Sequence, residues 1–283
     1  MRKRPGSRGR WLIQSALGAV SIAALLTDAA RHRLHSAMPR GIPCAWAADE
    51  RELMHCLTLG GVQAIIFDPG CVSDPGMHSL AAVADGASCC LIVYTSLAAE
   101  PIIRAASVAS RFGGPILYDY NDDPISLRRL LNTLPDLSAV KSFSELLHPA
   151  ISSVTPSLRA AMESLTSPFG AANSSDELAT RCNLTRRSVD RILARAGIRS
   201  ATHLVNTARI VRGFGAMRNG WVPVSLVAAH LRLASARTLE AQCVAVTGAD
   251  IAALRRMRDG TELCAQVAKR LFYAGNSTGA VGA

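Results

Sequence analysis

An internal repeat in the C-terminal half constrains this chain more than any other feature. Leu178-Ala179, Leu184, Val189, Leu193 and Gly197 recur as Val227-Ala228, Leu233, Leu239, Cys243 and Gly248, with an offset that drifts from 49 to 51 residues. Self-similarity at that period means two copies of one supersecondary unit. Each copy carries helix punctuation. Ser174-Ser175-Asp176-Glu177 reads as a capping box. Asn183-Leu184-Thr185 reads as a tight turn, with Thr185 capping a second helix that ends at Gly197. The second copy opens near Pro223, turns near Leu233-Ala234, recaps at Ser235 and ends at Thr247-Gly248. Between the copies, Ser200 opens a long helix through about Arg218, closed by Asn219-Gly220.

The second helix of the first copy sets Val189, Ile192 and Leu193 on one side and Arg186, Arg187, Asp190, Arg191 and Arg195 mainly on the other. A helix, a short turn and a second helix with polar groups at its start is the form that lays a helix into the major groove. Arginine there reaches guanine edges bidentately, aspartate accepts from cytosine, and the remaining arginines bind phosphate. The small residues Ala179 and Ala228 suit a close crossing of two helices. Two such units on one stiff helix reach major grooves roughly 34 Å apart along the duplex.

Leu178-Ala179, the run Leu184-Thr185-Arg186-Arg187-Ser188-Val189-Asp190-Arg191-Ile192-Leu193, and Gly197 resemble the first helix-turn-helix of the AraC/XylS family. His203-Leu204 with Arg209-Ile210 resembles that family's linker helix, and Val227-Ala228, Leu233, Leu239, Gly248 and Arg255 resemble its second unit. The resemblance covers about residues 156–258. It implies a transcription regulator that binds double-stranded DNA, with RNA polymerase as a further partner. It also implies base-reading positions: Arg187, Asp190 and Arg191, with Thr185 and Arg186 alongside, in unit one, and Ser235, Ala236, Arg237 and Glu240 in unit two. The second unit departs from the family, with Arg232-Leu233 where Gly-Phe is usual, Cys243 for an aromatic, Ala241 for a recurrent Arg and Ile251 for Pro. These departures count against base reading by unit two and favour backbone contact or packing.

Residues 11–137 alternate short apolar runs with helical stretches, which argues for a parallel sheet covered on both faces. Strands are expected at Trp11-Leu12-Ile13, Ile42–Trp46, Val62–Asp68, Cys90–Tyr94 and Pro115–Tyr118, with Pro43 placing the second at an edge. Helices are expected over about 17–36, Glu50–Leu59, Met77–Ala84, Glu100–Phe112 and Ser126–Leu134. This pattern is similar to a response-regulator receiver domain. Asp68 falls where that family carries its phosphorylated Asp and Thr95 where it carries the switch hydroxyl. No acidic pair follows the first expected strand, and Tyr120-Asn121-Asp122-Asp123 stands where a Lys is expected. Without metal and Lys to offset charge, phosphoryl transfer to Asp68 is disfavoured. The expectation is a degenerate receiver-like module for dimerisation or signal input; a phosphorylation switch at Asp68 is the alternative.

The overall layout is thus a basic tail at 1–10, an α/β domain at 11–137, a linker at 138–155, an all-α domain with two helix-turn-helix units at 156–258, and a C-terminal helix and flexible tail at 259–283. Charge divides along the same line. Residues 11–150 hold nine Lys/Arg against thirteen Asp/Glu, whereas residues 151–283 hold seventeen against eight, so the basic surplus of the +10 chain sits where a polyanion would bind. The eight cysteines (Cys44, Cys56, Cys71, Cys89, Cys90, Cys182, Cys243 and Cys264) lie in apolar runs without CxxC or zinc spacing, so they read as small buried hydrophobes in a reducing cytosol. The basic start and the apolar run Trp11–Leu26 imitate a signal peptide, but the run falls short of the ~20 residues a spanning helix needs. Export or anchoring through residues 1–26 competes directly with a cytoplasmic DNA-binding role, which is favoured, with no membrane partner expected. No phosphate-loop or nucleophile-elbow motif and no HExxH is present, so neither enzyme activity nor any cofactor or metal is expected. A homodimer fits the pairing of DNA half-sites.

Overall fold

The computed structural model describes residues 22–38, 43–58, 62–86, 89–95, 102–107, 116–118, 128, 130–167, 174–218, 220 and 222–273. In the N-terminal half, strands β1 (Ile22–Leu25), β2 (Cys44–Trp46), β3 (Ala64–Phe67), β4 (Cys90–Thr95) and β5 (Ile116–Tyr118) alternate with helices α1 (Asp28–Ala37), α2 (Glu50–Thr58) and α3 (Asp74–Gly86). Residues 102–107 and 130–132 are also helical. All strand pairs are parallel, in the order β2-β1-β3-β4-β5. That is the 2-1-3-4-5 order of flavodoxin-type doubly wound sheets.

Side-chain alternation builds two cores from one set of strands. Ala23, Leu25, Ile65, Phe67, Leu91 and Val93 point to one face and meet Leu53 and Leu57 of α2 and Leu80 of α3. Ile22, Ala24, Ala64, Ile66, Cys90, Ile92 and Tyr94 point to the other and meet Leu34 of α1 together with Leu131 and Leu134. Strands apolar at every position are what a sheet covered on both faces requires. As Pro43 suggested, β2 lies at the edge.

From residue 137 the described elements are helical: α4 (Leu137–Ser152), α5 (Pro156–Thr166), α6 (Ser175–Arg181), α7 (Arg186–Arg195), α8 (Ala201–Arg218), α9 (Val224–His230), α10 (Ala236–Thr247), α11 (Ile251–Arg256) and α12 (Gly260–Leu271). One continuous core runs from Ala139 to Leu271. At its centre lies α8, buried nearly all round, including Arg209 and Arg212. It packs against α4, α6, α7, α9, α10, α11 and α12. Its 18 residues make it about 27 Å long.

Two expectations are corrected. The helix expected over 17–36 is a strand, Ile22–Leu25, followed by α1 from Asp28. An Ala-rich run favours helix by local propensity, but the centre of a parallel sheet overrides it: β1 pairs with both β2 and β3. Thr27 then starts α1, its hydroxyl accepting from Ala30 N at 3.4 Å. The linker expected at 138–155, with one short helix around Ser144–Leu147, is for most of its length α4, a helix of 16 residues. Pro149 lies inside it and removes one helix bond, yet Val140, Phe143, Leu147 and Ile151 bury a continuous stripe against the helical core. Pro223, near which the second copy is expected to open, is the N-cap residue of α9. The expected strand at 11–13, the basic tail and the tail beyond residue 273 lie outside the described residues.

Candidate nucleic-acid interface

The repeat in the sequence is a repeat in backbone geometry. In the first copy α6 meets α7 through a turn in which Asn183 has φ 53° and Leu184 N donates to Ala179 O at 3.0 Å. In the second, α9 meets α10 through a turn in which Arg232 has φ 55° and Leu233 N donates to Ala228 O at 2.8 Å. The hydroxyl of Thr185 accepts from Ser188 N at 3.2 Å and that of Ser235 from Thr238 N at 3.1 Å. Ala179 and Ala228 are both buried, as close helix crossing demands.

The amphipathic pattern of α7 orients its arginines. Val189 and Leu193 are buried, which leaves Arg187, Arg191 and Arg195 exposed at four-residue spacing along one side of the helix. None of the three has a hydrogen bond or ion pair among the described residues, so their cations are open to a partner. Arg195 belongs to this stripe although the resemblance did not mark it; its spacing from Arg191 was the available signal.

Two other residues expected to read bases bond within the protein. Asp190 is half-buried, and its Oδ1 accepts from Ala201 N at 2.7 Å, satisfying an orphan donor at the start of α8. Arg186 Nη2 donates to Thr202 Oγ1 at 3.0 Å, and its Nη1 lies 4.0 Å from the carboxylate of Asp176. The Thr202 hydroxyl in turn donates to Ser175 Oγ at 3.2 Å. These contacts tie the starts of α6 and α8 to the side of α7, so Arg186 and Asp190 orient the helix that displays the arginine stripe. On the other end, Arg199 Nε donates to Phe272 O at 3.4 Å and Tyr273 N to Gly197 O at 3.0 Å, which fastens the end of α12 to the same corner.

In the second copy Ser235 is a cap, Ala236 is half-buried, and Arg237 and Glu240 are exposed. Arg237 and Glu240 border an open groove of about 730 Å³ that is also lined by Ala241, Val244, Asp250, Ile251 and Ala252. Arg255, one of the residues that carried the resemblance, donates from Nε to Met217 O at 3.0 Å and from Nη2 to Val222 O at 3.3 Å. It closes the C-terminal end of α8.

In the α/β half, Asp68 ends β3 and its Oδ1 accepts from Gly70 N at 2.8 Å, the ordinary work of an Asp in a turn. Thr95 is buried at the end of β4. Moving the first strand to Ile22–Leu25 places Asp28 after it, at the same carboxyl edge as Asp68. With the first strand expected at 11–13, this acid falls outside the expected pattern. Residues 119–127, where the receiver pattern expects a Lys, lie outside the described residues. Among the described residues no group of three or more His, Cys, Asp or Glu is arranged to hold a metal ion. The cysteines are free thiols, and burial pushes Cys44, Cys90, Cys243 and Cys264 up to about 12, which suits packing and not reactivity. Among the described residues no helix is long and apolar enough to cross a membrane.

Compared with known protein families and with curated proteins, the chain matches no family model and no curated protein.

Proposed function

We propose that this chain is a sequence-specific DNA-binding transcription regulator of AraC type, whose helical half presents two helix-turn-helix units and whose α/β half serves dimerisation or signal input. The observation that carries the reading is the stripe Arg187, Arg191 and Arg195, exposed and unpaired on a helix whose partner turn occurs twice in the chain. A structural role for three unpaired cations on one face is hard to find, since like charges four residues apart destabilise a helix. A duplex supplies phosphates for some of them and guanine edges for the others. For α7 and α10 to enter adjacent major grooves on one face of the duplex, α8, about 27 Å long, must hold them roughly 34 Å apart.

In this reading Arg187 and Arg191 contact bases, Arg195 contacts phosphate, and Arg186 and Asp190 hold α7 at its angle to α8. Thr185 caps α7 and brings its start to the DNA. RNA polymerase is the further partner that an AraC-type regulator implies, and a homodimer would pair two such sites. Selection of binding sites from random duplexes with the full chain tests the proposal. It succeeds if one motif emerges and survives competition by an acidic polymer. A chain that binds duplex and acidic polymer alike has only a basic surface, and the proposal is then wrong.

A phosphorylation-switched regulator is the second reading. It draws on Asp28 and Asp68 at one carboxyl edge of a sheet with the 2-1-3-4-5 order. Acetyl phosphate should then label the wild-type chain and not Asp68→Asn. An unlabelled wild-type chain removes this reading and leaves the first intact.

A further inference from the structure

Because the N-caps Thr185 and Ser235 are equivalent, α7 and α10 align position by position. Arg187 matches Arg237, Asp190 matches Glu240, Arg191 matches Ala241, Ala194 matches Val244 and Arg195 matches Ala245. The two exposed faces are chemically unlike. Four arginines lie on α7, whereas α10 carries Arg237 alone, offset by Glu240. In place of the second and third cations of the stripe, α10 exposes Ala241 and Ala245, and beside them Val244, the match of Ala194. Val244 is 48% exposed, and a β-branched residue on an exposed helix face gains nothing for the fold. With Ala241 it forms an apolar strip along one wall of the groove of about 730 Å³, which Arg237 and Glu240 also line and whose other wall is Asp250, Ile251 and Ala252.

We infer that α10 reads thymine methyl groups through Ala241 and Val244, so that the two halves of the binding site differ in chemistry: guanine contacts under α7 and thymine contacts under α10. This rests on the DNA-binding reading above. The major groove displays one apolar group, the thymine 5-methyl, and small aliphatic side chains are its partners. Arg237 supplies the one cation to anchor the strip, and Glu240, which repels phosphate, is matched only by a base-edge donor such as the cytosine amino group. An apolar strip also suits a protein partner, but the turn that sets α10 on α9 repeats the turn that sets α7 on α6, which favours one kind of role for both helices.

The test uses the full chain and the duplex it selects. Each thymine in the half under α10 is replaced singly by deoxyuridine, which lacks only the methyl group, and affinity is measured for the wild type and Val244→Ala. We expect at least one position where deoxyuridine weakens wild-type binding about fourfold, the value of one buried methyl, and where Val244→Ala binds thymine and deoxyuridine equally. Val244 is exposed, so its truncation leaves the fold intact. Deoxyuridine that is neutral at every position, or discrimination unchanged in Val244→Ala, overturns the inference while the selected motif keeps the DNA-binding reading. A footprint confined to the half under α7 also overturns it and assigns the strip to a protein. Failure to select any motif overturns both.

Discussion

At the scale of single residues, charge type does not decide role; the partner does. Arg186 and Asp190 differ little in sequence setting from Arg187 and Arg191, yet Asp190 accepts from Ala201 N at 2.7 Å and Arg186 donates to Thr202 at 3.0 Å. Asp190→Ala should therefore lower stability by about 1 kcal/mol, the usual cost of a lost cap, and Asp190→Asn should restore most of it, read by urea unfolding. If Asp190 read a base, both changes would relax the selected motif at one position and leave stability alone. Arg232 gives a second case. Its φ of 55° is left-handed, a conformation a β-branched residue tolerates poorly. Arg232→Val should cost about 1–2 kcal/mol, whereas Arg232→Gly should cost nothing or stabilise, measured by the same unfolding curve. His203 adds a pH dependence. Burial, followed by Arg199 and Arg270, pushes its imidazole below the ordinary histidine value. The unfolded chain then takes up the proton first as pH falls. Stability is full well above pH 6.5 and declines as pH drops through about 6.5, where a free imidazole titrates. His203→Gln should flatten the loss between about pH 8 and 5; an unchanged profile would show that His203 makes no such contribution.

At the scale of elements, punctuation was legible and sheet context was not. The turn at Asn183, the caps Thr185 and Ser235, and the left-handed stop at Gly248, φ 79°, follow from local chemistry that a sequence displays, whereas the turn at Arg232, expected near Leu233-Ala234, carries no such mark. Strands β3 and β4 are legible too, since their β-branched runs end at turn residues. Ile22-Ala23-Ala24-Leu25 carries no such mark: only its two strand neighbours make it a strand, and they lie distant in sequence. The helix α4 was obscured by Pro149 and frequent Ser, although Phe143, Leu147 and Ile151 already lie on one face. Its packing is close. The backbone of Gly260 at the start of α12 crosses Ala139 of α4 so nearly that a side chain would overlap it. Gly215 of α8 faces the peptide at 134–136, where an added Cβ would fall 2.6 Å from Leu134 O. Gly215→Ala should cost about 1–3 kcal/mol through overpacking of an unyielding backbone. Thermal unfolding checks this, and a melting point equal to wild type would refute the close approach.

At the scale of the whole molecule, the joint between the two halves is short. Asp136 caps α4 through Ala139 N at 3.2 Å and pairs with Arg218, the last residue of α8, at 3.1 Å. Both partners are mostly buried, at 15% and 18% exposure, so solvent screens the pair little and removing one partner would leave the other charge uncompensated. It joins the segment leaving the α/β half to the helix that spaces the two repeated units. The two-part organisation was readable from the charge division and from the change of periodicity, but the closeness of this joint was not, because Gly215 and Arg218 lie about eighty residues beyond the peptide they touch.

The central claim is that the open arginines of α7 meet a duplex. It is tested most directly by measuring affinity for the selected duplex against salt concentration, for the wild type, Arg187→Ala, Arg191→Ala and Arg195→Ala. The account predicts steep salt dependence for the wild type and a base-specific loss of about 1–3 kcal/mol for each of the first two. Arg195→Ala should instead give a uniform loss and a shallower salt slope, because it removes one phosphate contact. Equal affinity in all four chains, with an unchanged slope, would contradict it.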